Sequence, residues 1–204
     1  MLIGLDFDNT IVCYDRAIAE LAEAIPDLPA DLPRTKLSLR DHLRATGREV
    51  EWTAFQGTIY GPGMYYADLF DGAIPVMQEL EATGHQLIII SHRSLHPYAG
   101  PQYDLHAAAR NWIEERLQNT GLFRSSNGKN LVNFLETREA KLATITRLGC
   151  TVFLDDLPEL LNAPEFPLET VGILFDPNSE LRKQEGKLKV EAWAQLPTLL
   201  AQLR

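Results

Sequence analysis

Four apolar runs, each rich in branched side chains, constrain the fold of this chain more than any other feature of its sequence. The runs are continuous rather than alternating, which is typical of strands buried on both faces of a parallel sheet. Their sequences are LIGLDF (2–7), HQLIIIS (85–91), CTVFL (150–154) and TVGILF (170–175). A weaker run, NLVNFL (130–135), predicts a fifth strand.

Helical patterns lie between these runs. Apolar residues recur at helical spacing over residues 74–80, 105–117 and 142–148, and again after Pro197. Strands that alternate with helices in this way indicate βαβ units. The sequence therefore predicts an α/β fold with a doubly wound, Rossmann-like parallel sheet.

Residues 13–70 interrupt this alternation of strands and helices. They contain two helical stretches, near 15–25 and 36–46, followed by the aromatic and glycine-rich run WTAFQGTIYGPGMYYADLF, and no core strand is evident. We interpret this segment as a small, mainly helical cap insertion. Residues 1–12 and 71–204 then form the core.

Charge and cysteine content exclude several classes of protein. The net charge is −9 and no basic tract is present, so nucleic acid and anionic membranes are poor partners. Cys13 and Cys150 are the only cysteines, and neither lies in a CxxC pair. No signal-type segment or membrane-spanning run is evident. We expect a cytoplasmic protein, and the sequence leaves its oligomeric state open.

Polar side chains end three of the predicted strands. Asp6 and Asp8 follow the first, Ser91 ends the second, and Asp155 and Asp156 end the third. The carboxyl ends of parallel strands share one edge of a sheet, where ligands bind. Four converging carboxylates repel one another unless a cation lies among them, and oxygen ligands suit Mg²⁺. The sequence therefore predicts a magnesium site at this edge.

The same residues carry a family resemblance. DFDNT resembles the first motif of the haloacid dehalogenase-like (HAD) superfamily of phosphohydrolases, and Ser91 is similar to the second. Lys141, in REAKLATI, resembles the lysine of the third motif, and VFLDD resembles the acidic fourth motif. The four motifs occur in the family's order, so the resemblance spans nearly the whole chain.

The resemblance implies a role for each matching residue. Asp6 is the expected nucleophile, and Asp8 the general acid that later activates water. Ser91 and Lys141 are expected to bind the transferring phosphoryl oxygens. Asp6, the Asp8 backbone carbonyl and Asp155 are expected to hold Mg²⁺.

Two assignments stay open. Asp156 belongs to the acidic set, and we expect it to orient Lys141 or a metal-bound water rather than to be the direct metal ligand. Lys129 is the alternative to Lys141, which lies only fourteen residues before Asp155.

Residues that neighbour the motifs complete the candidate site. Asn9 and Thr10 follow Asp8, and His92 and Arg93 follow Ser91. We expect these four side chains to bind substrate.

The function expected from these features is hydrolysis of a small phosphorylated metabolite by a magnesium-dependent phosphatase, through an aspartyl-phosphate intermediate. Asp8 favours phosphate ester hydrolysis, because dehalogenases of the family lack that acid. The alternatives are a nucleotidase or phosphomutase of the same superfamily, or a non-catalytic binding or regulatory protein. The physiological substrate is not evident from the sequence.

Overall fold

The chain divides into two compact units. The computed structural model describes residues 1–124, 130–179 and 188–203. Unit 1 comprises residues 1–12, 69–92 and 119–204, and unit 2 comprises residues 13–68 and 93–118. The second segment of unit 2 differs from the predicted boundary, which assigned residues 93–118 to the core.

Eight strands and eight α-helices occur in the described ranges. In chain order they are β1 (Leu2–Leu5), β2 (Val12–Cys13), α1 (Asp15–Ala22), α2 (Lys36–Ala45), α3 (Glu49–Tyr60), β3 (Asp68–Leu69), α4 (Ala73–Ala82), β4 (Gln86–His92), α5 (Leu105–Leu117), β5 (Val132–Leu135), α6 (Arg138–Leu148), β6 (Val152–Asp155), α7 (Pro158–Leu161), β7 (Val171–Phe175), β8 (Leu188–Val190) and α8 (Leu196–Ala201). Short 3₁₀ helices span Pro62–Tyr66 and Trp193–Gln195. None of these helices is long and apolar enough to cross a membrane.

Unit 1 is built on a six-stranded parallel sheet. Its strand order is β5-β4-β1-β6-β7-β8, with Leu5 of β1 opposite Ile89 of β4 on one side and Leu154 of β6 on the other. The order reverses between β1 and β6, which makes the carboxyl ends of these two strands the topological switch point where ligands bind in such folds. The α/β prediction and all five predicted strands are confirmed.

The core of the sheet explains why these runs became strands. Ile88 and Ile90 of β4 pack with Leu142 and Ile145 of α6 in a buried cluster that also takes in α7 and β7. Gly4 of β1 leaves room for a ring of β6, since a Cβ atom at residue 4 would lie 2.4 Å from the ring of Phe153. Burial on both faces accounts for the continuous apolar runs.

One strand of this sheet, β8, was not predicted from the sequence. β8 has three residues, LKV, and pairs with β7 at the edge of the sheet. A strand that short, with a lysine at its centre, presents no apolar run to recognise.

Unit 2 is mainly helical. It contains α1, α2, α3 and α5, and the indole of Trp112 in α5 donates to the carbonyl of Ala67 at 3.1 Å. The apolar stripe of α5 predicted a buried face but not the surface that it packs against.

The α3 helix includes the first part of the aromatic and glycine-rich run that begins at Trp52, for which the sequence predicted neither a helix nor a strand. Gly57 lies inside it, where a Cβ atom would come within 2.6 Å of Pro97. The helix tolerates this glycine because the Pro97 ring packs directly on its backbone.

Candidate active site

Asp6 lies where β1 reaches the carboxyl edge of the sheet in unit 1. Its backbone amide donates to the carbonyl of Leu154 at 2.9 Å, so it still belongs to the parallel ladder. Its residue exposure is only 3%. Removing a carboxylate from water in this way requires a compensating charge nearby.

A tight turn follows Asp6 and carries Asp8, Asn9 and Thr10. The amides of Ile11 and Val12 both donate to the carbonyl of the residue before Asp8, each at 3.0 Å. Asn9 has a φ of 56°, in the left-handed region that asparagine adopts more readily than most residues. Asp8 and Asn9 are partly exposed, whereas Thr10 is fully buried.

The compensating charge is Lys141. Its Nζ lies 2.6 Å from Asp6 Oδ1 and 2.6 Å from Asp155 Oδ2, and the side chain has no exposed area. Its helix, α6, is capped at its N-terminus by Thr137, whose hydroxyl accepts from the Ala140 amide at 3.1 Å. The third-motif lysine and the acids of the first and fourth motifs are thus joined in one cluster.

The sequence left open the role of Asp156 and the choice between Lys141 and Lys129, and this cluster bears on both. Asp155 contacts Lys141 through Oδ2, and the expectation that Asp156 orients this lysine or a metal-bound water stays a prediction. Asp155 is the last residue of β6 and fully buried, whereas Asp156 is only partly buried. The alternative lysine, Lys129, lies outside the described residues.

Burial and charge shift the pKa values in the cluster. Burial raises the pKa of Asp6 to about 6, against the opposing effect of Lys141, and Asp155 and Asp8 add to the increase. Burial lowers the pKa of Lys141, but the carboxylates of Asp155 and Asp6 outweigh it and hold that pKa above its usual value. The lysine therefore stays protonated, and negative charge exceeds positive charge in the cluster.

The same cluster has the donor set of a metal site. Carboxylate oxygens of Asp6, Asp155 and Asp156 lie within 4.8 Å of one another. Oxygen ligands without histidine or thiolate are those that Mg²⁺ prefers. Asp155 Oδ1 also accepts from the amide of Leu157 at 2.9 Å, which fixes the carboxylate plane. The residues present therefore fit Mg²⁺ in charge and chemistry.

Ser91 and His92 end the neighbouring strand, β4. Ser91 is 1% exposed, and burial, reinforced by Lys141, lowers the pKa of His92 although Asp6 and Asp8 act in the opposite direction. Within the described ranges, His92 Nδ1 and Thr10 Oγ1 are buried polar atoms without a hydrogen-bond partner. Such atoms are costly to leave unsatisfied and are found where a ligand binds.

Arg93 belongs to unit 2 and contacts other groups of that unit. Its guanidinium donates to the carbonyl of Leu105 at 3.1 Å and to the hydroxyl of Tyr14 at 3.2 Å, and it lies 5.4 Å from the ring centroid of Tyr60. The carbonyl of Arg93 contacts His106 Nε2 at 2.8 Å. These contacts give Arg93 a structural role that its position next to His92 did not indicate.

Two distant segments of unit 1 hold the turn after Asp6. The amide of Phe70 donates to the carbonyl of Ile11 at 3.0 Å, and Trp193 Nε1 donates to the carbonyl of Thr10 at 3.0 Å. Trp193 was absent from the predicted site. No sequence signal links two residues 183 positions apart, so only the folded chain reveals this contact.

Solved structures provide the comparison with known proteins. No protein-family model matches the sequence, and no curated protein matches it at a significant level. A predicted phosphatase from Clostridium acetobutylicum matches with a TM-score of 0.61 and 11% identity over 98% of both chains. The Mycobacterium tuberculosis protein tyrosine kinase A matches with a TM-score of 0.61 and 17% identity over 97% of both chains.

A third structure comes from Deinococcus radiodurans. It is a HAD family hydrolase with bound phosphate and sodium, and it matches with a TM-score of 0.54 and 14% identity over 98% of this chain and 95% of that chain. Identities this low carry the fold and not the activity. The protein has the fold of the haloacid dehalogenase-like (HAD) superfamily.

Proposed function

We propose that the protein is a magnesium-dependent phosphatase that hydrolyses a small phosphorylated metabolite through a phosphorylated Asp6. The observation that carries this proposal is the contact of Lys141 Nζ with both Asp6 and Asp155 at 2.6 Å, at the switch point of the sheet. A buried ammonium beside a buried carboxylate lets an anionic phosphate approach an anionic nucleophile. The phosphate bound to the Deinococcus protein is consistent with such a site.

In the first step, a carboxylate oxygen of Asp6 attacks phosphorus and the ester bond to the leaving oxygen breaks. Asp8 gives its proton to that oxygen, so the alcohol leaves neutral. The Lys141 ammonium and the Ser91 hydroxyl bind the phosphoryl oxygens as their charge is redistributed.

In the second step, Asp8 accepts a proton from water, and the water oxygen attacks the phosphorus of the aspartyl phosphate. The bond from phosphorus to the Asp6 oxygen breaks, which releases inorganic phosphate and restores the carboxylate. Asp8 regains its proton, so the cycle closes with one water consumed.

Mg²⁺ is the cation that fits the acidic cluster. Asp6, Asp155, Asp156 and the Asp8 carbonyl are the groups that would hold it, and when bound it supplies charge neutralisation for the phosphoryl group. Asp155 orients Lys141 as well, because its second oxygen contacts that ammonium.

We place substrate specificity in unit 2. The chain enters this unit directly after the turn that bears Asp8, and again directly after Ser91 and His92. Unit 2 thus takes the part that the sequence assigned to a cap over residues 13–70, with the addition of residues 93–118. Asn9, Thr10 and His92 remain the proposed substrate-binding residues of unit 1.

The test is phosphate release from p-nitrophenyl phosphate and from a panel of phosphorylated metabolites, with Mg²⁺ and with EDTA. We expect turnover that requires Mg²⁺ and is abolished by Asp6→Asn. Asp8→Asn should slow alkyl phosphates more than p-nitrophenyl phosphate, because p-nitrophenolate leaves without protonation.

The panel also separates the alternatives. Turnover of nucleoside monophosphates alone would identify a nucleotidase. Transfer of the phosphoryl group between two hydroxyls of a sugar would identify a phosphomutase. Halide release from a haloacid, or binding of phosphorylated ligands without turnover, would overturn the phosphatase proposal.

A further inference from the structure

Trp193 has no role in the proposed chemistry, yet it contacts the turn that carries Asp8. It belongs to the 3₁₀ helix after β8, is 1% exposed, and donates its indole N–H to the carbonyl of Thr10 at 3.0 Å. Thr10 is 0% exposed, so this carbonyl is shielded from water. A buried carbonyl that loses its donor keeps the full cost of its lost hydration.

The indole itself is fixed by an aromatic cluster. The rings of Trp193 and Phe175 lie 6.2 Å apart, and Phe175 packs edge to face on Phe70 with 4.9 Å between ring centroids. The backbone amide of Phe70 holds the next carbonyl of the turn, that of Ile11, at 3.0 Å. One cluster, Phe70, Phe175 and Trp193, therefore fixes two consecutive carbonyl groups of the turn.

These two contacts add to the hydrogen bonds that the amides of Ile11 and Val12 make within the turn. Asn9 has a φ of 56°, in the left-handed region, which disfavours residues other than glycine although asparagine tolerates it better than most. The Thr10 hydroxyl has no partner among the described residues, so the side chain of Thr10 does not anchor the turn. The hydrogen bonds to the two carbonyls tie the turn to distant segments of unit 1, and Asp8 lies just before them.

We infer that Trp193 is a positioning residue for Asp8, acting through the Thr10 carbonyl and the turn between them. This inference rests on the proposed function, because it assigns Trp193 to the proton-transfer part of that reaction. It predicts that loss of the indole N–H loosens the turn and misplaces the acid, while Asp6 and Lys141 keep their contact. Departure of a poor leaving group then suffers most, since it depends on the proton from Asp8.

The variant Trp193→Phe removes the N–H and keeps an aromatic ring. We expect amide hydrogen exchange in a peptide covering residues 8–12 to accelerate about tenfold, since one buried hydrogen bond is lost. We also expect kcat/KM for an alkyl phosphate to fall about tenfold more than for p-nitrophenyl phosphate, which corresponds to about 1.4 kcal/mol.

The matched control is Trp112→Phe. Trp112 is 2% exposed and donates to the carbonyl of Ala67 at 3.1 Å, so it loses an equivalent bond in unit 2. We expect unchanged exchange in residues 8–12 and an unchanged ratio between the two substrates. If Trp193→Phe does not fold, 3-benzothienylalanine at position 193 deletes the N–H and keeps the bicyclic shape.

Two results would overturn the inference: unchanged exchange in residues 8–12, or an equal loss on both substrates. A wild-type protein without turnover of any phosphate ester would instead refute the proposed function. The exchange measurement distinguishes these cases, because it reports on the turn whether or not the protein is active.

Discussion

The ammonium of Lys141 lies 2.6 Å from the carboxylate of Asp6, although the two residues are 135 positions apart in the chain. Lys141 belongs to α6 and Asp6 directly follows β1, and both are buried. An ion pair so placed contributes little net stability, but removal of one partner leaves an uncompensated charge.

The first prediction concerns this lysine. Lys141→Met should abolish turnover and lower metal-free stability by about 3 kcal/mol, because two buried carboxylates lose their cation. Phosphate release and urea unfolding followed by circular dichroism measure the two effects. Arg44→Met is the control, since its ion pair with Glu49 is exposed to water and its loss should change stability far less. Full activity in Lys141→Met would favour Lys129 as the lysine that binds the phosphoryl group.

The second prediction concerns the metal. Mg²⁺ should raise the melting temperature, since it binds only the folded cluster, and EDTA should abolish activity. Ca²⁺ should support activity poorly, because its larger and looser coordination misplaces the nucleophile.

Asp156→Asn distinguishes the two acids of the fourth motif. It should weaken Mg²⁺ binding in calorimetric titration and change metal-free stability less than Asp155→Asn, which also breaks the contacts with Lys141 and the Leu157 amide. Equal affinity for Mg²⁺ in Asp156→Asn and wild type would remove Asp156 from the metal site.

The third prediction concerns pH and stability. The folded-state pKa of Asp6 is about 6, above the unfolded value of about 3.9, so the folded state binds this proton more tightly. Stability of the metal-free protein should therefore fall as the pH rises from about 4 through 6, by at most about 3 kcal/mol.

Asp6→Asn cannot ionise at this position. In EDTA it should melt at a higher temperature than wild type at pH 7.5, and the difference should shrink as the pH falls to about 4. A variant that is less stable than wild type at pH 7.5 would show that the ion pair with Lys141 outweighs the cost of burying the charge.

The fourth prediction concerns Arg93. Arg93→Ala should lower the free energy of unfolding by about 2–3 kcal/mol, since it removes buried hydrogen bonds to Leu105 and Tyr14 together with packing on Tyr60. Urea unfolding is the measurement. Arg44→Ala is the control in the same unit, because its ion pair with Glu49 is exposed to water and its loss should change stability far less. Unchanged stability with an altered ranking of substrates would contradict this structural role and support the prediction that Arg93 binds substrate.

Much of unit 1 was predictable because its signals are local. Continuous apolar runs predict strands buried on both faces, and polar residues at their ends predict an edge where ligands bind. This is why Asp6, Ser91 and Asp155 were identified together, and why α/β topology followed from the alternation of strands with helices.

Other features depend on contacts between distant segments, and only the tertiary structure decided them. The apolar stripe on α5 showed that one face of this helix is buried. That α5 belongs to the same unit as residues 13–68 follows from tertiary contacts such as the hydrogen bond from Trp112 to the Ala67 carbonyl. The guanidinium of Arg93 is bound in unit 2 because Tyr14 and Leu105 are brought to it by folding. Asp155, at the end of β6, contacts Lys141 of α6 only in the folded chain. Periodicity and motif order therefore determined the elements and the set of reactive groups, whereas the partners of these groups depended on contacts across 12 to 183 positions of the chain.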